Sequence, residues 1–245
     1  MIKRSLVKSA MPAPIYEIVS RFVKTILAIY YRRVNTSDAR YIDRTVHVLG
    51  WRNVRIGRNS VVSEGGWLNV NHRSQTSIQI DIEDNCFIGR RNFFSSGALI
   101  RIGSYCLTGI DCKFMGSNHI YCDPFLPYIA TGTTKEDTID VGVNCWFGAN
   151  VSVVGEARIG HGSIIGANAV IIGDIPAFSL VVGNPGRVIK RYDLEVRKWI
   201  AVAEYCADSE AKLPSEAEYL EILRARHPCV QMPIRAAGKY LGDLA

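Results

Sequence analysis

Histidine and cysteine side chains are the groups in this sequence best suited to acid–base, nucleophilic or metal chemistry. The 245 residues include five histidines and seven cysteines. The histidines lack the spacing of paired metal ligands and the cysteines form no C-x-x-C pair, so neither a zinc site nor a disulfide framework is indicated. His119 is the strongest candidate for catalysis, because it lies in a plausible site loop and imidazole takes up protons near neutral pH.

The chain on both sides of this loop has a six-residue repeat. Six consecutive matches place these apolar residues in one equivalent position: Val141, Phe147, Val153, Ile159, Ile165 and Ile171. Four residues after each stands a mostly small residue: Cys145, Val151, Ala157, Ser163, Ala169 and Ile175. Earlier turns, from Ile56 to Thr108, follow the pattern less cleanly, with a two-residue slip between Phe94 and Ile102. This period predicts a mainly β fold, a β-helix whose short strands stack on their equivalents in neighbouring coils.

Residues 117–138, SNHIYCDPFLPYIATGTTKEDT, break the repeat and contain two prolines. We expect them to loop out from the coil, and loops on a rigid scaffold often carry the chemistry. This position favours His119 as a catalytic base over an ordinary surface histidine. Asp123 is a candidate to orient the imidazole, although a solvated carboxylate in the turn before Pro124 explains it equally well. Asn118, beside the histidine, is a further candidate polar contact.

The sequence divides into an N-terminal helical segment, residues 1–45, a repeat region, residues 46–191, and a C-terminal helical segment, residues 192–245. Apolar residues at helical spacing from Ile15 to Tyr31 predict an amphipathic helix. Its apolar face suits packing on protein or peripheral association with a membrane, and its charges argue against a spanning helix. Two helices, residues 193–206 and 215–226, are predicted to cap the open end of the coil.

Composition and charge narrow the partners and the compartment. The hydrophobic fraction of 48% supports a folded core, and the formal net charge of +6 suggests an anionic partner. No interleaved basic and aromatic stripe appears, so we expect no nucleic-acid binding. Isolated cysteines and no recognisable signal peptide favour the cytoplasm, at the inner face of the membrane if the helix binds lipid. Four cysteines at inward repeat positions are expected to pack rather than react: Cys86, Cys106, Cys112 and Cys145.

Four motifs in order carry a family resemblance: GSNH at 116–119, CWFGANV at 145–151, IGANAVIIGDIP at 165–176 and VVGNPGRVIKR at 181–191. They resemble hexapeptide-repeat acyltransferases with a left-handed β-helix, especially galactoside, maltose and nodulation-factor O-acetyltransferases and exopolysaccharide-modifying relatives. The resemblance covers about residues 82–191. It implies a left-handed coil, a homotrimer with active sites between subunits, acetyl-CoA as co-substrate, no metal, and a catalytic loop histidine, which His119 matches.

The resemblance also implies roles for other residues. In RNFFSSG at 91–97, Ser96 stands where the family has an asparagine that stabilises the thioester oxyanion; an ordinary turn serine is the equal alternative. Arg187 and Lys190, with Arg191, would meet the phosphates of coenzyme A, unless they are a solvated basic tail. The rest of the implied coenzyme A site is Trp146, Gly148, Ala149, Gly166, Ala167, Ile172 and Gly173. Trp146 has a second interpretation, as a residue packed at a subunit contact.

The resulting hypothesis is an O-acetyltransferase that moves an acetyl group from acetyl-CoA to a hydroxyl of a sugar or bacterial polysaccharide, such as capsule, exopolysaccharide or O-antigen. An amino-sugar N-acyltransferase is the near alternative, since the same base can serve an amine. A non-catalytic scaffold would bind acetyl-CoA without turnover. A zinc carbonic anhydrase on the same coil would need three converging histidines, which the sequence does not indicate.

Overall fold

The computed structural model describes residues 12–232, 235–236 and 239–240, and it begins with a long helix. Helix α1 spans Ala13–Asn35 and contains the segment predicted to be helical. Pro14 lies in its first turn, where a missing N–H costs no helical hydrogen bond. Arg32 and Arg33 lie in its last turn, where positive charge complements the helix dipole.

Six coils of short strands follow the helix. The first three coils contain β1 Tyr41–Ile42, β2 His47–Leu49, β3 Val54–Ile56, β4 Val61–Val62, β5 Trp67–Val70, β6 Ile80–Ile82, β7 Phe87–Ile88, β8 Phe93–Ser96 and β9 Leu99–Ile102. The next three contain β10 Leu107–Thr108, β11 Lys113–Met115, β12 Thr138–Val141, β13 Trp146–Phe147, β14 Ser152–Val154, β15 Ala157–Ile159, β16 Ile164–Ile165 and β17 Val170–Ile172. In the sixth coil the third strand is reduced to a single bridge between Ile159 and Ile175.

Equivalent strands of successive coils pair in parallel and form three sheets. Sheet A contains the first strand of each coil, sheet B the second and sheet C the third. This arrangement is a three-sided parallel β-helix, as the repeat predicts. The corner between sheets B and C is called the BC edge below; it comprises residues 50–53, 71–79, 97–98, 116–137, 155–156 and 173–174.

The core is the column of side chains that point into the coil. The six apolar residues of the repeat are at most 1% exposed, and they alternate between the three sheets. The small residues four positions later are also buried. In the middle, Phe94 stacks on Phe114 with ring centroids 4.9 Å apart, and Phe147 meets Phe114 edge to face at 5.3 Å. The inward positions predicted from the period are therefore confirmed.

Corners between the strands need special backbone. Asn144, Asn150 and Asn168 have φ between 55° and 61°, a left-handed conformation that asparagine tolerates better than most residues. Gly148 has a different role, because a Cβ there would lie 2.6 Å from the backbone nitrogen of Ala167 in the next coil. The glycine that follows the inward Phe147 therefore lets neighbouring coils approach closely.

The slip in the repeat reflects longer strands. In the third coil β8 and β9 have four residues each, whereas β14 and β15 of the fifth coil have three each. Both Ile100 and Ile102 point inward from β9. The repeat therefore resumes two residues late without interrupting the core.

After the sixth coil the chain returns as an antiparallel hairpin. Strand β18, Ser179–Val182, pairs in parallel with β16, and β19, Arg187–Asp193, and β20, Lys198–Ala201, extend sheet A in antiparallel fashion. The prediction of a helix over 193–206 is therefore wrong. The side chain of Asp193 accepts hydrogen bonds from the backbone N–H groups of Glu195 and Val196 and turns the chain. The hairpin pairs an edge that would otherwise leave backbone groups unpaired.

The remaining C-terminal segment lies along the side of the coil. It contains α2, Ala207–Ala211, α3, Glu216–Arg226, and the two-residue strands β21, Arg235–Ala236, and β22, Lys239–Tyr240. Helix α3 matches the second predicted helix, and Ser215 caps its N-terminus in a capping box with Glu218. Glu216 pairs with Arg101 at 2.5 Å. Tyr219 OH accepts a hydrogen bond from Asn144 Nδ2, just before β13, at 2.5 Å. Helix α3 therefore contacts the side of successive coils and does not cover the open end as predicted.

Candidate active site

The long loop emerges from the fourth coil at the BC edge, between β11 and β12, as the broken repeat predicts. Its two ends are tied together by hydrogen bonds around one threonine. Thr134 donates its backbone N–H to the carbonyl of Asn118 at 2.7 Å, and its hydroxyl lies 3.1 Å from Asp137 Oδ2. Ser117 Oγ donates to the Thr134 carbonyl at 3.0 Å. The base of the loop is therefore a built structure rather than a free connection.

His119 stands exposed on the first arm of this loop. Its backbone forms an antiparallel bridge with Thr133 on the returning arm. Ile120 N–H donates to the carbonyl of Gly132 at 3.2 Å, which extends this pairing by one step. The imidazole is thus presented from a short two-armed ribbon at the edge of the coil, accessible to an acceptor.

A second histidine meets the same ribbon. His72 Nε2 and Thr133 Oγ1 are hydrogen bonded at 2.8 Å. His72 belongs to the second coil, in residues 71–79 of the BC edge, so the contact joins two corners that are far apart in sequence. His72 is not among the residues predicted from the sequence to form the site. The sequence feature that indicates a role for it is a nine-residue interruption of the repeat, NHRSQTSIQ, which contains a histidine as the 117–138 loop does.

A buried glutamine fixes the segment that carries His72. Gln79 Nε2 donates to the His72 carbonyl at 2.9 Å and to the Gly97 carbonyl at 3.2 Å. Gln79 Oε1 accepts the Ser74 backbone N–H at 2.6 Å. Because Gln79 is only 5% exposed, these bonds are shielded from water and hold His72 firmly.

The neighbours of His119 divide into two kinds. Asp123 Oδ1 accepts the backbone N–H of Phe125 at 2.9 Å, which is the geometry of a turn carboxylate rather than of a group orienting the imidazole. The Asn118 amide nitrogen lies 4.0 Å from the position that a Cβ would occupy at Gly155 in the next coil. Asn118 therefore points along the BC edge toward the next coil.

Ser96 lies inside the coil. In β8 it follows the inward Phe94 by two residues, it is fully buried, and its Oγ has no hydrogen-bond partner. This placement argues against the oxyanion role implied for it, because an interior hydroxyl does not face an external ligand. Its neighbour Ser95 faces outward, and Asn71 Nδ2 donates to Ser95 Oγ at 2.8 Å. Strand alternation explains the difference of one residue.

The residues implied for coenzyme A are spread over the upper coils. Trp146 is 51% exposed on sheet A, and Ile172 is 70% exposed on sheet B. Gly148, Ala149, Gly166 and Ala167 form the corner between sheets A and B, while Gly173 turns at the BC edge in open space with φ +81°. Within one chain these residues form an outer surface around sheet B and not an enclosed pocket.

The basic residues of the closing motif have different environments. Arg187 and Lys190 are exposed on β19. Arg191 is only 5% exposed; it pairs with Glu210 at 2.9 Å and lies over the ring of Tyr205. The assignment of Arg191 to a phosphate is therefore not supported, because its guanidinium is already paired inside the C-terminal segment.

The inward cysteines behave as packing residues. Burial raises the pKa of the Cys86 thiol to about 12 and also raises the pKa values of Cys106 and Cys112. A thiol with such a pKa is protonated near neutral pH and is a poor nucleophile. In the described residues no group of three or more histidine, cysteine, aspartate or glutamate side chains has the geometry of a metal site.

A large groove lies elsewhere on the described chain. It has a volume of about 1480 Å³ and lies between the outer face of sheet A and the C-terminal helices, with Trp146, Phe178 and Tyr219 among its lining residues. His119 does not line it. Size alone therefore does not locate the chemistry, and the histidine loop remains the better candidate because it presents a proton acceptor.

Sequence relatives carry acetyltransferase names. A probable acetyltransferase of Mycobacterium tuberculosis is 33% identical over 130 residues, which is 53% of this chain and 42% of that protein. A candidate acetyltransferase of Staphylococcus aureus is 48% identical over 65 residues, 26% of this chain and 33% of that protein. A candidate lipopolysaccharide-biosynthesis O-acetyltransferase of Escherichia coli, WbbJ, is 36% identical over 67 residues, 27% of this chain and 34% of that protein. No protein-family model matches the chain.

A solved structure shares the fold. The crystal structure of a variant of AntD, an N-acyltransferase from Bacillus cereus in complex with dTDP-4-amino-4,6-dideoxyglucose and coenzyme A, has a TM-score of 0.54 and 14% identity. The match covers 63% of this chain and 82% of AntD.

The motifs, the parallel coil and the sequence relatives agree, and the chain resembles the hexapeptide-repeat acyltransferases in all three. The alignments span only a third to about two fifths of the relatives' length, from 33% to 42%. What this chain itself acylates therefore has to be argued from its own site.

Proposed function

We propose that the chain is an acetyl-CoA-dependent O-acetyltransferase that acts on a hydroxyl of a sugar or bacterial polysaccharide. The observation that carries the proposal is His119, an exposed imidazole on an anchored ribbon at the edge of a hexapeptide coil. A sugar hydroxyl is a poor nucleophile near neutral pH, so the reaction needs a base at the place where attack occurs. The name of the Escherichia coli relative supports the O-acetyl and carbohydrate assignment.

The proposed reaction is a direct transfer. The acceptor oxygen attacks the thioester carbonyl carbon as its proton moves to the imidazole of His119. The C–O bond forms, the C–S bond breaks, and the coenzyme A thiolate leaves and takes the proton from the imidazolium. No acyl-enzyme intermediate is proposed, because the acceptor attacks the thioester directly. Asn118 is proposed as a polar contact for the acceptor or the oxyanion.

Acetyl-CoA is proposed to lie along sheet B of the upper coils. AntD supports a coenzyme A site on this fold, since it was crystallised with that ligand. Exposed Ile172 and the open turn at Gly173 leave room for the pantetheine arm. Arg187 and Lys190 are free to meet phosphates from β19. The remaining proposed contacts are Trp146, Gly148, Ala149, Gly166 and Ala167. The coil is proposed to be left-handed, as in the family.

The chain is proposed to form a homotrimer, with each active site lying between two subunits. An outward column on sheet A runs through Phe87, Leu107, Trp146 and Ile164, and the strand registers align these residues directly. Leu107 is 41% exposed, and large exposed apolar columns of this kind are typical of subunit contacts. Sedimentation equilibrium tests the assembly: a mass of three chains supports it, and a monomer active at all concentrations contradicts it. The protein is proposed to act in the cytoplasm.

An amino-sugar N-acyltransferase is the second candidate, favoured by the likeness to AntD. The two products differ chemically, because an O-acetyl ester is cleaved by hydroxylamine and an amide is not. The sequence motifs and His119 are compatible with either acceptor, since the base removes a proton in both reactions.

One experiment tests the proposed function. Purified full-length protein is incubated with acetyl-labelled acetyl-CoA and a panel of bacterial glycans and free amino sugars, and labelled products are then treated with hydroxylamine. Hydroxylamine-labile label on a glycan is the expected result. Stable label on an amino sugar would replace O-acetylation by N-acylation, and coenzyme A binding without transfer to any acceptor would favour a scaffold.

A further inference from the structure

Helix α1 turns its apolar face away from its own coil. Its least exposed residues near the coil are Ala28, Tyr31 and Asn35, which fall on one side of the helix at the usual 3.6 residues per turn. Asn35 Nδ2 donates to the Trp51 carbonyl at 3.0 Å, and the Arg32 guanidinium lies 5.5 Å from the Trp51 ring centroid. The coil therefore holds the polar side of the helix, by its last turns.

The opposite side of α1 is a continuous exposed apolar surface. Ile18 is 69% exposed and Phe22 is 66% exposed, although both are residues that burial would stabilise. We call this surface the α1 apolar face; it consists of Ile15, Ile18, Val19, Phe22, Val23, Ile26, Ile29 and Tyr30. A face of this width on a helix that touches the coil only near its C-terminus needs a partner outside the chain.

The positive charge of helix α1 favours an anionic partner. Residues 13–35 contain four basic side chains, Arg21, Lys24, Arg32 and Arg33, against one acidic side chain, Glu17. A second copy would bring an equally basic helix against this one, whereas a surface of anionic lipid headgroups attracts it. Basic residues beside a broad apolar face are the composition of a helix that lies in a membrane interface. None of the described helices is long and apolar enough to cross a bilayer.

The position of the helix relates it to the candidate base. Trp51 and Arg52, which hold α1, form the BC edge of the first coil, and the His119 ribbon leaves the same edge in the fourth coil. Three strand spacings separate the two corners, about 14 Å. The tip of the 117–138 loop is also apolar, with Phe125 93% and Ile129 91% exposed.

The other two edges are different in character. The Arg58–Asp84 pair lies at the corner between sheets C and A, and the Arg91–Asp111 pair at the corner between sheets A and B. Charged pairs of this kind are typical of a surface that faces water.

We propose that the α1 apolar face docks the protein on an anionic lipid surface, with the BC edge and its histidine ribbon turned toward that surface. The docking does not depend on the proposed acetyl transfer.

Vesicle flotation of the full-length protein tests the proposal. Vesicles of phosphatidylcholine mixed equally with phosphatidylglycerol are compared with pure phosphatidylcholine, at low salt and at about 0.5 M salt, where charge attraction is screened. We expect binding to the anionic vesicles at least about 10-fold tighter than to the neutral ones, and weaker at high salt.

Paired variants test the face itself. Phe22→Gln with Ile26→Gln removes two apolar side chains without changing charge, and Ser20→Gln with Thr25→Gln makes two matched changes at the polar border. The first pair is expected to weaken vesicle binding at least about 30-fold and the second less than about 3-fold. Circular dichroism and light scattering check folding and mass. Equal vesicle binding by both pairs of variants overturns the proposal. So does a wild-type protein that does not bind anionic vesicles but forms an oligomer that dissociates only when the α1 apolar face is changed.

Discussion

The coil and the 117–138 loop that leaves it are held in place in different ways. Inside the coil, each inward residue packs on its equivalents above and below, so stability is shared by a column of side chains. The loop has almost no buried apolar residues, and its shape depends on a few hydrogen bonds around Thr134, Thr133 and His72. The scaffold is therefore robust and redundant, whereas the position of the candidate base depends on individual contacts.

The largest expected effect separates the two regions by their phenylalanines. Phe114 is fully buried between Phe94 and Phe147, and Phe125 is 93% exposed at the loop tip. Phe114→Ala is expected to reduce the free energy of unfolding by about 3–5 kcal/mol, and Phe125→Ala by less than about 0.5 kcal/mol. Chemical denaturation measures both. Similar losses for the two variants would mean that the loop tip is packed against something and that the contrast is wrong.

The next effect concerns the contact between the loop and the second coil. His72→Ala is expected to lower kcat about 10-fold, because the ribbon that carries His119 loses its support, while the free energy of unfolding changes by less than about 1 kcal/mol. His72→Gln, which retains a polar group of similar length, should recover part of the rate. His47→Ala serves as a control for removing a histidine elsewhere.

A double-mutant cycle decides whether His72 acts through Thr133. Thr133→Val removes the hydroxyl that His72 contacts at 2.8 Å, so the double variant should lose little more than either single variant. Steady-state kinetics at several pH values measure kcat and KM separately. Additive losses, or a wild-type rate in His72→Ala, would show that the hydrogen bond does not position the base.

The smallest effect lies on sheet C, where charge joins the coil to helix α3. Burial opposes ionisation of Glu83, but its bonds from Arg101 at 2.8 Å and from Ser104 hold the pKa of this carboxyl below its ordinary value of 4.5. Since the folded pKa is lowered, the stabilisation is present above 4.5 and is lost as pH falls through the folded value. The unfolding free energy of Glu83→Gln should therefore depend less steeply on pH below 4.5, by about 1 kcal/mol. If the unfolding free energies of the wild-type protein and Glu83→Gln depend on pH in the same way below pH 4.5, Glu83 does not supply this stabilisation.

Much of the coil could be predicted from sequence, because its packing repeats. The positions of Val153 and Ile159 inside the coil follow from the six-residue period, and each further coil that fits the period supports the prediction. The period does not predict contacts that occur only once in the structure. The contact of His72 with Thr133 joins residues 61 apart and has no period, and the outward turn of Ser95 rather than Ser96 depends on the length of β8.

The C-terminal segment shows the same limit. Residues 193–206 have helical spacing, but the open edge of sheet A offers hydrogen bonds that a helix would leave unpaired, and the chain forms β19 and β20 instead. Local preference was overridden by a partner that only the folded coil provides. Arg191 is a further case, since its pairing with Glu210 requires that hairpin.

The most direct test of the account is the rate of acetyl transfer by His119→Ala to the acceptor that the glycan panel identifies. Because the imidazole removes the acceptor proton, the variant is expected to lose at least about 100-fold in kcat, with unchanged coenzyme A affinity and stability. His227→Ala, which removes an exposed histidine outside the loop, should transfer at the wild-type rate. A His119→Ala protein that acetylates this acceptor at the wild-type rate would contradict the assignment of the base.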